Sequence, residues 1–133
     1  EADSSAWPVR ATGTARAPAA RAVRRSEVYL LDLSQEGGRL AKERPVLVVQ
    51  NDVGNIRSME TIVLAVRDLH GGRVLPIFVP VSRGMGGLKK DSIIDAGHIM
   101  TVAKSRLGHR LGSLPSRPMA AVDRALRISL DLV

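Results

Sequence analysis

The hydrophobic positions of the chain change period once along its length. Val46-Leu47-Val48-Val49-Gln50 is a continuous apolar run, short enough for a buried strand, and Thr61-Ile62-Val63-Leu64-Ala65-Val66 is a second β-branched strand. Glu27-Val28-Tyr29-Leu30-Leu31-Asp32-Leu33 reads as the first strand of the chain. Residues 74–81 read as a strand interrupted by Pro76 and Pro80, which places it at a sheet edge. Ser92-Ile93-Ile94 and residues 99–102 read as strand segments around Gly97. Gly37-Gly38, Asn51-Asp52-Val53-Gly54-Asn55, His70-Gly71-Gly72 and the glycine-rich stretch 82–90 punctuate these runs as turns and loops. After them the period becomes helical. Met119, Val122, Leu126, Ser129 and Val133 form one stripe, widened by Ala125 and Leu130, with Ser116 as N-cap and Pro118 in the first turn. Five to seven short strands followed by one C-terminal helix predict an α+β, mainly β domain built on a small, twisted, partly closed barrel.

The first 25 residues lie outside this pattern. They are rich in Ala, Arg, Ser, Thr and Pro, lack apolar periodicity, and carry five Arg against two acidic residues. They read as a flexible basic N-terminal extension (residues 1–25), ahead of a folded domain at 26–133. The whole chain has 133 residues and a net charge of +7, which favours acidic partners, nucleic acid first. It contains no cysteine, which excludes disulfide scaffolds, thiolate metal sites and thiol catalysis. Trp7, Tyr29 and Phe78 are its three aromatic residues, too few to stack successive bases on an aromatic platform. No apolar run reaches the roughly 20 residues of a membrane-spanning helix, and a reducing cytoplasmic compartment suits the composition.

Individual residues give limited chemistry. His70, His98 and His109 show no metal-binding spacing, and Asp91 and Asp95 read as a solvated strand face, so no metal is expected. The loop Arg83-Gly84-Met85-Gly86-Gly87-Leu88-Lys89-Lys90 offers backbone N–H groups and two ammonium groups to a phosphate, or is simply a glycine-bearing loop. No serine-protease-like order and no GxSxG elbow is present.

Four blocks carry a resemblance that goes further. Residues 25–34, RSEVYLLDLS, are similar to RGEVYLVDLSP. Residues 44–55, RPVLVVQNDVGN, are close to RPVLVIQNDVGN. Residues 87–94, GLKKDSII, are similar to GLxxDSVV, and residues 121–130, AVDRALRISL, to the helix KVDEALKISLGL. In this order and spacing the chain resembles the MazF/PemK family of toxin endoribonucleases. The resemblance implies an SH3-like barrel of the CcdB/PemK type and a homodimer. It also implies metal-independent, cofactor-free cleavage of single-stranded mRNA, arrest of translation and growth, and a cognate MazE-like antitoxin.

The departures fall where the family's chemistry is expected. Arg44 is retained. Where the family ends its third strand on a catalytic Thr or Ser, this chain has Arg67, and the block EQIRT becomes Gly97-His98-Ile99-Met100-Thr101. Arg44 and Arg67 are therefore the candidate phosphate clamps, because a guanidinium fork donates two hydrogen bonds to phosphate oxygens. His98 is the candidate for proton transfer, its alternative being a partly buried strand histidine. Lys42, Lys89 and Lys90 are candidates for tracking the RNA backbone, or else solvated loop lysines. Two other readings stay open: a catalytically impaired RNA-binding or antitoxin-sequestering relative, suggested by Arg67, and a gyrase poison of the CcdB type, since fold alone does not settle function.

Overall fold

The computed structural model describes residues 22–32, 43–69 and 71–133. Its core is a six-stranded antiparallel sheet of β1 (Glu27–Asp32), β2 (Glu43–Val48), β3 (Glu60–Asp68), β4 (Phe78–Val81), β5 (Ser92–Ala103) and β6 (Leu107–Ser113). Their order across the sheet is β4-β5-β3-β2-β1-β6. The two apolar runs, β2 and β3, are central strands, and the proline-bearing β4 is an edge strand as its prolines require. β4 begins only at Phe78, because a turn closed by the Phe78 N–H on the Leu75 carbonyl (2.9 Å) occupies the residues before it.

Central burial gives the sheet two apolar faces. On one, Val28, Leu47, Leu64, Val66, Val79 and Ile94 pack against Met119, Val122 and Ala125 of the C-terminal helix α2 (Ser116–Leu130). On the other, Tyr29, Leu31, Val46, Val48, Val63 and Val102 form a second cluster. Leu130 and Val133, read as part of the helix stripe, are exposed: Leu130 is the last residue of α2, and Val133 lies beyond its end. Ser116 is the first residue of α2 rather than its cap; Pro115 holds the N-cap position without a side-chain hydrogen bond.

The sheet does not close, but its edges approach. The short turn Met85–Gly87, which follows β4, rests backbone-on-backbone against β6 at the opposite edge. A Cβ at Gly112 would lie 2.8 Å from the Gly86 carbonyl carbon. β6 has no apolar alternation in its sequence, LGHRLGS, and exists because it pairs with β1 across two register shifts. The segments 92–94 and 99–102 belong to one strand, β5. Leu64 faces Ile99 while its neighbour Ala65 faces Asp95, so residues 96–98 form a bulge at the glycine.

Asn51 to Asn55 is more than a turn. Asp52–Arg57 form a short helix, α1, capped by Asn51, whose Oδ1 accepts from the Gly54 N–H (2.8 Å). Asn55 is buried and fully engaged. Its Nδ2 donates to the Gln50 carbonyl and to Asp52 Oδ1, both at 3.0 Å, and its Oδ1 accepts from Gln50 Nε2 (3.0 Å) and Thr61 Oγ1 (2.6 Å). The QNDVGN block is therefore a polar clamp that holds the β2–β3 connection.

The folded body begins before residue 26. Val23 is buried in the second cluster. The Arg25 N–H donates to Asp52 Oδ1 (2.7 Å), its Nε to the Val49 carbonyl (2.8 Å), and its Nη2 pairs with Asp123 (2.5 Å). Residues 22–25 thus depart from the flexible extension read in the sequence: a lone valine shows no periodicity, yet a sheet face is there to receive it. Residues 1–21 lie outside the described residues.

Lys104, buried beneath α1, donates from Nζ to the Asn55 carbonyl, and burial pushes its pKa below 10.5. A cation whose native pKa is lowered contributes least below that native value and most above the unfolded one. Relative to Lys104→Met, the wild-type chain should therefore gain stability as pH rises toward 10.5. Urea midpoints of both proteins at about pH 7 and about pH 10 read this directly. A pH-independent difference between them would contradict it.

Candidate active site

Strand register assembles the site. The β2–β3 ladder pairs Val46 with Ala65 and Leu47 with Leu64. Carried two residues further, it sets Arg44 opposite Arg67. β1 pairs Leu31 with Arg44, and β5 pairs Ile93 with Arg67. Extended in this way, the pairings Leu31–Arg44 and Arg67–Ile93 fall on one line across the strand ends. Arg44 and Arg67 line one cavity of about 380 Å3, together with Asp68, Arg73, Phe78 and Ile93.

A second cavity of about 440 Å3 lies beside it, lined by Glu43, Arg44, Asp68, Lys89, Lys90 and Ser92 among others. The two cavities share Arg44 and Asp68, which makes them one groove running over the strand ends. Among the described residues, five cationic side chains (Arg44, Arg67, Arg73, Lys89, Lys90) and two carboxylates (Glu43, Asp68) line it. That excess of positive charge suits a phosphodiester backbone.

Arg67 is held in place. Its Nη2 pairs with Asp95 Oδ2 at 2.9 Å, and its guanidinium carbon lies 5.4 Å from the centre of the Phe78 ring. The Asp95 side chain is 11% exposed against 52% for Arg67, and its other oxygen accepts from the Gly97 N–H (2.8 Å). A buried, doubly bonded carboxylate thus anchors a half-exposed guanidinium at the groove. Asp95 is not part of a solvated face: it lies opposite both Ala65 and Phe78, between two strands.

Two other expectations change. Most of the glycine loop's backbone N–H groups are engaged inside the protein. The N–H groups of Gly84, Met85, Gly87 and Leu88 bond to carbonyls within the loop, and that of Arg83 to Asp91 Oδ1 (2.8 Å). Its contribution to the groove is Lys89 and Lys90. His98 is exposed in the β5 bulge and lines neither cavity, because the bulge carries it away from the row that holds Arg44 and Arg67. Lys42 lies outside the described residues. Among the described residues no cluster of His, Cys, Asp and Glu suited to a metal is present.

Sequence reading alone missed Asp68, Arg73, Phe78 and Asp95. The one available signal was the placement of Asp68 beside Arg67 at a strand end. Pairing Arg67 with Asp95 requires the β3–β5 register, which depends on the bulge at residues 96–98.

Comparison with known proteins fits this architecture. Residues 24–130 match the sequence pattern of the PemK-like, MazF-like toxins of type II toxin-antitoxin systems. An endoribonuclease MazF of Staphylococcus epidermidis is 40% identical over 111 residues, covering 83% of this chain and 92% of that protein. A mycobacterial endoribonuclease solved in complex with its cognate antitoxin superposes with a TM-score of 0.71 at 25% identity, over 84% of this chain and 98% of the other. The MazE–MazF complex of Deinococcus radiodurans gives a chain of the same fold, with a TM-score of 0.70 at 19% identity over 85% of this chain and 99% of the other. Among the described residues no helix is long and apolar enough to cross a membrane.

Proposed function

The chain belongs to the PemK-like, MazF-like family of type II toxins, and on that premise we propose that the groove over its strand ends is where it cuts single-stranded RNA. It is a MazF-type endoribonuclease toxin. Its substrate is mRNA, its working form a homodimer in the cytoplasm, and its inhibitor a cognate MazE-like antitoxin that occupies the same basic groove. The folded toxin domain carries the activity, and the basic residues before it add RNA affinity without choosing the cut site.

The observation that carries this reading is the pair Arg44 and Arg67, on neighbouring strands and lining one cavity. Metal-free cleavage uses the ribose 2′-OH as nucleophile and leaves a 2′,3′-cyclic phosphate and a 5′-OH. Such a reaction concentrates negative charge on the non-bridging oxygens of a pentavalent phosphorus. Two guanidinium groups aimed at one cavity neutralise that charge without a metal. Arg73, Lys89 and Lys90 extend the positive surface along the strand on either side.

The test is incubation of the purified protein with a long single-stranded RNA in EDTA, followed by mapping of the new 5′ ends. Discrete cuts bearing 5′-OH ends are expected. Binding without cleavage would instead make the chain an RNA-binding relative, and absence of both would remove RNA as its target.

Arg67→Thr, which introduces the residue type usual in the family, separates binding from turnover. Loss of one phosphate contact should weaken RNA binding at low salt. It should also reduce the slope of log affinity against log salt by about 0.7, the value for one neutralised phosphate on a single strand. Cleavage at saturating RNA should persist, because Arg44 remains. Unchanged binding and slope would show that Arg67 serves Asp95 and Phe78 rather than RNA.

A further inference from the structure

The groove supplies positive charge in quantity, yet cleavage by a 2′-OH also needs a group to take that proton. The family's strand-end hydroxyl is absent, Arg67 stands in its place, and His98 lies off the groove. Arg44 cannot take the proton, because a guanidinium stays protonated at any physiological pH. Ser92 already donates its hydroxyl to the Lys90 carbonyl (2.8 Å). Among the described residues lining the groove, two carboxylates remain. Glu43 lines only one of the two cavities, whereas Asp68, like Arg44, lines both. Asp68 is also paired: its Oδ2 accepts from Lys90 Nζ at 3.2 Å, with both side chains well exposed, 48% and 68%.

We propose that the Asp68–Lys90 pair performs the proton transfers of RNA cleavage, with Asp68 the proton acceptor and Lys90 the donor. This rests on the reading of the groove as the cleavage site. Arg44 and Arg67 hold the scissile phosphate. Asp68 takes the proton of the ribose 2′-OH as that oxygen bonds to phosphorus. The bond from phosphorus to the 5′-oxygen breaks, and the leaving oxygen takes a proton from the Lys90 ammonium. The protein is then left with a carboxylic acid beside a neutral amine. One proton passing from Asp68 to Lys90 across their contact restores the starting state, so no other reactant is consumed. The exposure of both side chains lets them part to flank the phosphate and meet again after release.

The experiment uses the full chain and an oligonucleotide spanning a cut site mapped with the wild-type protein. Affinity is read on the same oligonucleotide with a 2′-deoxy sugar at the scissile position, which cannot be cut. Asp68→Asn keeps the shape and the hydrogen-bonding oxygen but cannot take the proton. Its kcat should fall on the order of 10²-fold, within the usual contribution of a positioned acid or base. Affinity for the 2′-deoxy oligonucleotide should be unchanged or tighter, since a negative charge has left the groove. Lys90→Ala should also lower kcat. An Asp68→Asn protein with wild-type kcat overturns the proposal. If Arg44→Ala fails to cut while Asp68→Asn cuts normally, the groove is right and only the proton acceptor is wrong. If Arg44→Ala also cuts normally, the groove itself is misassigned.

Discussion

Arg44→Ala should lower kcat on a mapped RNA site on the order of 10²–10³-fold, the usual cost of removing one charge-stabilising donor from a phosphoryl or acyl transition state. The position makes this a clean experiment. Arg44 is exposed on β2 where the strand begins, and Pro45 after it already restricts its backbone to extended geometry. Substitution there removes no core contact, so stability should change by less than about 0.5 kcal/mol. Circular dichroism and the thermal midpoint should both match the wild type. Arg44→Lys should fall between the two, because it restores the charge but not the bidentate fork. Cleavage within tenfold of wild type by a folded Arg44→Ala protein would remove Arg44 from the chemistry.

Gly87→Ala should cost stability on the order of 3 kcal/mol, combining an unfavourable backbone conformation with overpacking. Gly87 has φ +78°, and a Cβ there would sit 2.0 Å from the Leu111 carbonyl oxygen of β6. That neighbour is backbone of β6 and cannot step aside as a flexible side chain would. Gly84 supplies the control. Its φ is also positive, +96°, but a Cβ there would meet nothing within 4 Å. Gly84→Ala should therefore carry the conformational cost alone, about 1 kcal/mol. A domain of this size is stable by only about 5–15 kcal/mol, so the difference between the two variants is readily read from urea midpoints. Because Leu88 is buried and leads directly into Lys89 and Lys90, displacement of this turn should also weaken RNA binding. Equal losses for the two variants would mean that the sheet edges tolerate separation.

What the sequence determined by itself follows from local physics. The β-branched runs at residues 46–50 and 61–66 could bury apolar side chains on both faces only as central strands. Pro76 and Pro80 could not sit in a central strand, and 78–81 is an edge. Met119, Val122 and Ala125 met the core at helical spacing. Arg44 could be chosen as a candidate because its block, RPVLVVQNDVGN, is distinctive. The same block shows where such a signal misleads, since much of its distinctiveness belongs to Gln50, Asn51 and Asn55, which clamp a strand connection rather than touch substrate.

The tertiary structure decided what depended on distant partners. Val23 had no periodic neighbours and found its place on a sheet face made from strands that follow it. β6 became a strand because β1 offered an unpaired edge, not because LGHRLGS favours one. The β3–β5 register brought Asp95 beside Arg67, and the bulge at residues 96–98 that ends this register holds His98 outside the groove. Asp68 gained its place between Arg44 and Lys90 from three separate segments. Apolar period is a property of neighbouring residues and survives in the sequence, whereas register and close approach are properties of strands that meet only after the chain has folded.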